Sequence, residues 1–229
     1  MAFSDTSKPV VDRITQQIVK ALKRLGLNPI ALLDGITLWL GWTGLTWLAF
    51  LLSLLFVEVG EKSDISLAEG LLGGLLIGLA QWQVLRPYLH QAYRWIIVSA
   101  LSWGALALLH IGAIGWMAPG TPNLLIRGSV GLFYGGYVGA VIGLGQWWVI
   151  RRQVKRAWRW IALSSGIWGV AIALGWLIGG GLRAVSNLFI SEVIGLMLAW
   201  GAIAALSGIG IVGMMCPAVR PTACPTDQK

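Results

Sequence analysis

Charged residues are scarce in this sequence of 229 residues: they make up 11% of it, whereas hydrophobic residues make up 57%. Ordinary soluble domains are about 25% charged and about 45–50% apolar, so the composition excludes a water-soluble globule. Nine acidic residues and two histidines offer few groups for general acid–base catalysis. The sequence also lacks the common catalytic motifs. We therefore predict that the protein is not an enzyme.

Cysteine is almost absent: Cys216 and Cys224 are the two in the chain, and both fall in a short tail, 216–229, that we predict to be cytoplasmic. A reducing compartment disfavours a disulfide between them. Two cysteines without nearby histidines do not form a zinc site. Cys216 could carry a lipid, but we expect an inert thiol. The sequence predicts no metal site and leaves any cofactor unknown.

Six long apolar runs without proline predict six membrane-spanning helices. Each has roughly 19–23 residues, enough to cross a hydrocarbon core about 30 Å thick. Their apolar residues are continuous rather than alternating, which favours helices over barrel strands. We predict an all-α, polytopic transmembrane bundle within 31–215, with spans at 36–57, 67–85, 95–117, 128–150, 160–181 and 193–214.

The first thirty residues are polar and charged, and they lack the apolar core of a signal peptide. Within them, apolar residues recur at helical spacing while Lys20, Lys23 and Arg24 occupy the other face. This pattern predicts an amphipathic helix in 1–30 that lies on the cytoplasmic membrane surface. A helix that binds a partner is the alternative.

Basic residues are distributed unequally between the two sides of the predicted bundle. If the N-terminus is cytoplasmic, 14 of the 17 lysines and arginines lie on the cytoplasmic side, as the positive-inside rule requires. We therefore predict cytoplasmic N- and C-termini in a bacterial inner membrane or a thylakoid membrane. The net charge of +8 is interpreted as contact with anionic lipid and not with nucleic acid.

Residues 70–109 align without a gap onto 135–174, with 17 of the 40 positions identical. The shared core has the form Gln-Trp-x-Val-x-Arg, followed by an Arg-Trp pair. Because the offset of 65 residues spans two helices, both copies enter the membrane in the same direction, which predicts parallel repeats of two-helix units. The repeat resembles multi-pass membrane proteins of bacteria, of the cyanobacterial type. That resemblance implies a multi-pass fold and carries no activity.

Glycines recur every fourth residue in the predicted fourth span, at Gly131, Gly135, Gly139 and Gly143. Small residues on one face allow a neighbouring helix to approach closely, so we predict a helix-packing face of the glycine-zipper kind. The alternative is a thin-walled path for a solute.

Two glutamines occupy equivalent places in the repeats, at Gln81 and Gln146. An amide surrounded by lipid needs a hydrogen-bond partner. We predict a structural bond, for instance to serines of the third and fifth predicted spans, which carry tryptophans along one face. The alternative is that both amides line one ligand or solute site.

Three further residues are candidates for ligand binding. Trp103 and Trp168 lie deep in equivalent helices, one turn after Ser99 and Ser164. A buried indole N–H needs an acceptor, so we predict helix packing with those serines as acceptors. An aromatic wall for a flat apolar ligand is the alternative. His110, placed deep in the third span, could ligate haem or chlorophyll, although a simple hydrogen bond is the first expectation.

At the end of the first helix of each repeat, an arginine follows a tryptophan by one turn. The pairs are Trp82 with Arg86 and Trp147 with Arg151. This spacing suits cation–π pairs at the lipid headgroups, so we assign these four residues to the lipid interface.

These features predict a non-enzymatic membrane scaffold or assembly subunit that packs with other membrane proteins or an apolar ligand. A small-solute transporter with its site among the repeat helices is the alternative. Transporters usually carry charges or broken helices at the midplane, and neither is evident in the sequence.

Overall fold

The computed structural model describes residues 16–17, 29–60 and 65–215. Within this part the chain is all-helical and contains no β-strand, as predicted. Apart from Gln16 and Gln17, which are helical and exposed, the predicted amphipathic segment before α1 lies outside the described residues, as does the tail 216–229. The six helices are α1 (Pro29–Ser53), α2 (Leu67–Leu85), α3 (Arg94–Leu108), α4 (Leu124–Ile150), α5 (Arg159–Ser186) and α6 (Ile190–Met215).

Five of these helices are long and apolar enough to cross a membrane, whereas six were predicted. The difference is α3, whose 15 residues extend about 22 Å at 1.5 Å per residue, less than the hydrocarbon thickness of about 30 Å. The prediction of one continuous helix over 95–117 is therefore wrong. A 3₁₀ turn, Gly112–Gly115, occupies part of that range instead.

Helix α3 ends early because the chain adopts a left-handed conformation at His110, where φ is 57°. The N–H of His110 donates to the carbonyl of Ala107, and the N–H of Ile111 donates to the carbonyl of Leu106. This pair of bonds forms a Schellman motif, which satisfies the last carbonyls of a helix and turns the chain away. Residues 112–119 then fold back into the bundle, and nearly all of them are buried.

The helices form a closed ring in chain order. Each helix packs against its neighbours in sequence, and α1 closes the ring against α6. The folded-back segment contacts α3 and α4, and its Trp116 is 1% exposed. The centre of the ring is therefore filled by side chains and by this segment.

The outward surface of the ring is apolar. Leu125, Phe133 and Val185 are each at least 80% exposed, and many other large apolar side chains also point outwards. A soluble monomer rarely exposes so much contiguous apolar surface. Together with the five long apolar helices, this surface identifies an integral membrane bundle.

Candidate functional site

Gln81 and Gln146 meet in the interior of the bundle. Gln81 on α2 is 6% exposed and Gln146 on α4 is 5% exposed. The Gln146 Nε2 donates to the Gln81 Oε1 over 3.4 Å. The Gln81 Nε2 in turn points to the Thr46 hydroxyl on α1, 3.5 Å away. Three helices thus contribute to one neutral polar cluster.

Each glutamine also accepts a hydrogen bond from a tryptophan fourteen residues later. Trp95 Nε1 donates to the Gln81 Oε1, and Trp160 Nε1 donates to the Gln146 Oε1, both over 2.8 Å. The two bonds involve positions that are 65 residues apart, as the sequence alignment requires. The prediction that serines bond to these amides is therefore wrong. The amide carbonyl oxygens accept instead from indole N–H groups of α3 and α5.

A cavity of about 20 Å³ lies beside this cluster and is lined by Gln81, Gln146, Ser99 and Ser164, among others. The Ser99 side chain is buried, and its hydroxyl has no hydrogen-bond partner among the described residues. The predicted bond from Trp103 to Ser99 is therefore not formed. One water molecule needs about 10–15 Å³ measured in this way, so the cavity has room for one water beside that hydroxyl.

Trp103 and Trp168 point into the ring and contact each other, with centroids 5.5 Å apart. Trp116 and Trp200 complete a cluster of four buried indoles. Trp103 lies 4.6 Å from Trp116, and Trp168 lies 5.0 Å from Trp200. Edge-to-face and offset contacts at such distances are favourable. These rings therefore have protein partners, whereas the ligand wall stays a prediction.

The glycine face of α4 lies against α5. A Cβ atom built on Gly135 would lie 2.8 Å from the carbonyl oxygen of Trp168, and one on Gly139 would lie 2.5 Å from that of Ser164. Gly131 and Gly143 likewise face α5, at Ala173 and at Ser164. Real Cβ atoms do not approach backbone this closely, so glycine alone permits this separation of the two helices.

The four residues assigned to the lipid interface form the expected pairs at one end of the bundle. The Arg86 Cζ lies 5.8 Å from the centroid of Trp82, and the Arg151 Cζ lies 5.5 Å from that of Trp147. Both arginines are exposed. Their contact with lipid stays a prediction.

His110 does not lie deep in a span, as the sequence suggested. It is exposed, beyond the end of α3, because the Schellman motif places it at the turn. In the described part of the chain, no group of three or more His, Cys, Asp or Glu side chains is arranged to hold a metal ion. Ligation by His110 stays a prediction.

An ion pair that sequence reasoning missed lies near the starts of α4 and α6. Arg127 and Glu192 are 3% and 2% exposed, and both carboxylate oxygens accept from the guanidinium over 2.8 Å. Arg127 also donates to the carbonyls of Pro119 and Thr121, over 2.7 and 2.6 Å. One basic and one acidic residue, each one turn inside an apolar helix on the same side, were the available signal.

Three indole hydrogen bonds join the folded-back segment to helices α5, α6 and α1. Trp176 Nε1 donates to the carbonyl of Met117 and Trp200 Nε1 to that of Gly115, each over 2.8 Å. The Trp116 indole donates to Ser53 on α1. Irregular backbone at membrane depth requires such internal partners.

Comparison of the chain with protein-family models, with curated proteins and with solved structures gave no match.

Proposed function

We propose that the protein is a non-catalytic membrane scaffold or assembly subunit that associates through its lipid-facing surface with other membrane proteins or an apolar ligand. The observation that carries the proposal is the polar cluster at Gln81 and Gln146. Its amides bond to each other and to two indoles, and the adjoining cavity has room for about one water. The two buried amides are thus engaged in holding helices together.

Architecture and orientation are part of the same proposal. We infer that α3 and the folded-back segment together complete a sixth crossing, and that the two halves are parallel repeats. Equivalent Gln–Trp bonds at an offset of 65 residues support the repeat. The basic turns 86–94 and 151–159 lie at one end of the ring, which supports a cytoplasmic assignment for that end and for both termini.

A small-solute transporter is the second candidate, and one observation favours it. The third helix is interrupted, and its continuation, Gly112–Gly115, is irregular backbone inside the bundle. Discontinuous helices of this kind commonly form the substrate sites of transporters. Ser99, whose hydroxyl has no partner among the described residues, also lines the cavity beside the polar cluster.

Substitution of the glutamines separates the two functions. We expect Gln81→Leu and Gln146→Leu to lower the stability of the purified protein in detergent, because each leaves a buried indole without its acceptor. The folded fraction of each variant should have the same oligomeric mass as the wild type in gently solubilised membranes. Gln83→Leu is the matched control, since Gln83 lies on the same helix as Gln81 and is exposed.

Proteoliposome swelling with water, urea and glycerol provides the functional measurement. We expect wild-type liposomes to swell at the rate of empty ones. A wild-type flux above that rate, lost in a Gln146→Leu protein that melts at the wild-type temperature, would overturn the scaffold proposal in favour of transport.

A further inference from the structure

The end of the bundle that carries the two basic turns contains a cationic pocket of about 240 Å³. It lies between the turn that joins α2 to α3 and the turn that joins α4 to α5. Arg94, Arg151, Arg152 and Trp148 line it, together with polar groups of both turns. This volume is about twelve times that of the cavity beside Gln81 and Gln146, which is ample for a small anionic group.

The two turns are fixed to each other by a reciprocal pair of hydrogen bonds. The backbone N–H of His90 donates to the Gln153 Oε1 over 2.8 Å, and the Gln153 Nε2 donates to the carbonyl of His90 over 3.1 Å. The walls of the pocket are therefore held together before any ligand binds, which lowers the entropic cost of binding.

Two of the arginines share one aromatic ring. The Arg94 Cζ lies 5.8 Å from the centroid of Trp148, and the Arg151 Cζ lies 5.7 Å from the same centroid. Stacking positions the two guanidinium groups but does not neutralise their charges. The ion pairs found in the described part of the chain join Glu192 to Arg127 and Arg183. Among the described residues, no carboxylate pairs with any of the three pocket arginines, which therefore bring like charges together.

The position of the pocket relative to the ends of the apolar helices indicates which anion it would meet. Helix α4 ends at Ile150 and α3 begins at Arg94, so the pocket lies where the apolar helices end, at the level of lipid headgroups. The planar donor fork of arginine matches phosphate oxygens, and basic pockets between helices at this depth suit anionic headgroups. We propose that the pocket binds a phosphate group, supplied by the phosphodiester of an anionic lipid.

Native mass spectrometry of the full-length protein, released from micelles that contain equal amounts of phosphatidylglycerol and phosphatidylcholine, tests the proposal. We expect one phosphatidylglycerol to be retained in preference to phosphatidylcholine. Arg94→Gln and Arg152→Gln should each weaken this retention about tenfold, or about 1.4 kcal/mol, because each removes a charge-assisted hydrogen bond to the phosphate. Arg152 contacts no aromatic ring in the described part of the chain, so its variant is expected to fold.

Arg159→Gln is the matched control, because Arg159 lies at the same end of the bundle and is exposed but does not line the pocket. We expect it to retain the lipid as the wild type does. If Arg159→Gln weakens retention as much as Arg94→Gln, the attraction is general and the pocket assignment is wrong. Equal retention of phosphatidylcholine would also overturn it.

A second measurement distinguishes lipid from soluble phosphate. Millimolar inorganic phosphate is added to protein in phosphatidylcholine micelles, and the melting temperature is recorded. We expect no shift, whereas phosphatidylglycerol should raise the melting temperature of the wild type more than that of Arg94→Gln. A rise with inorganic phosphate that equals the phosphatidylglycerol effect and is lost in Arg94→Gln would overturn the lipid assignment and identify a soluble phosphate compound as the ligand.

Discussion

Replacing Glu192 by glutamine should remove the counter-charge of the buried Arg127 guanidinium while keeping the shape of the side chain. Loss of one partner of a buried ion pair costs about 3–5 kcal/mol. Three backbone carbonyls, those of Pro119, Thr121 and Trp176, also accept from Arg127 at 2.6–3.3 Å. They keep part of the charge solvated, so we expect a loss near the lower limit, about 3 kcal/mol of unfolding free energy.

Unfolding in mixed micelles, in which the detergent is progressively replaced by dodecyl sulfate and tryptophan fluorescence is followed, measures this loss. A loss of about 3 kcal/mol lowers the folding equilibrium constant about a hundredfold. Arg183→Gln is the control, because the Arg183 guanidinium lies 3.5 Å from Glu192 and is 36% exposed. It should cost less than about 1 kcal/mol. Glu192→Gln and Arg183→Gln variants of equal stability would refute the reasoning.

Two further predictions concern packing and topology. Gly139→Ala should lower the melting temperature in detergent, because its Cβ would meet the α5 backbone and overpacking costs about 1–3 kcal/mol. Gly166→Ala is the control and should not lower it, since no atom of the described residues lies within 4 Å of a Cβ built there. Equal tolerance of the two substitutions would contradict the packing role. In intact cells, an impermeant thiol reagent should label Asn187→Cys and leave Lys155→Cys unlabelled, and labelling at 155 would reverse the predicted orientation.

Helix positions were largely predictable because a continuous apolar run of sufficient length has few alternatives in lipid. Helix α2 begins and ends at the predicted residues, 67 and 85. Helices α4 and α6 begin only a few residues before the predicted spans. Their first turns include Arg127 and Ile190. Polar residues in these turns interrupt the apolar runs from which the helix starts were predicted, so the predicted starts came too late.

The end of α3 was not predictable from local sequence. Gly112 and Gly115 are possible breakers, but glycines are equally frequent in α4 and α5, where the helix continues. The chain leaves the helix at His110 because distant groups stabilise the alternative path. Trp200 lies 85 residues after Gly115 in the chain. Its indole N–H donates a hydrogen bond to the carbonyl of Gly115 and thereby holds the segment in the core.

The two glutamines of the polar cluster were predictable, whereas their bonds and the participation of Thr46 were not. Gln81 and Gln146 stood out as amides at equivalent positions. Their indole partners, Trp95 and Trp160, were also conspicuous, since each follows its glutamine by fourteen residues in both repeats. That recurrent spacing was the signal for the pairing.

The hydrogen bonds of the folded-back segment constrain the order in which the protein can mature. The donors for the carbonyls of Gly115 and Met117 are indoles on α6 and α5, which leave the ribosome after the segment itself. Until both helices have entered the membrane, these carbonyls need water or a chaperone as a substitute partner, since unsatisfied backbone is costly in lipid. The interior of the first half of the chain is therefore complete only when α6 has packed against it.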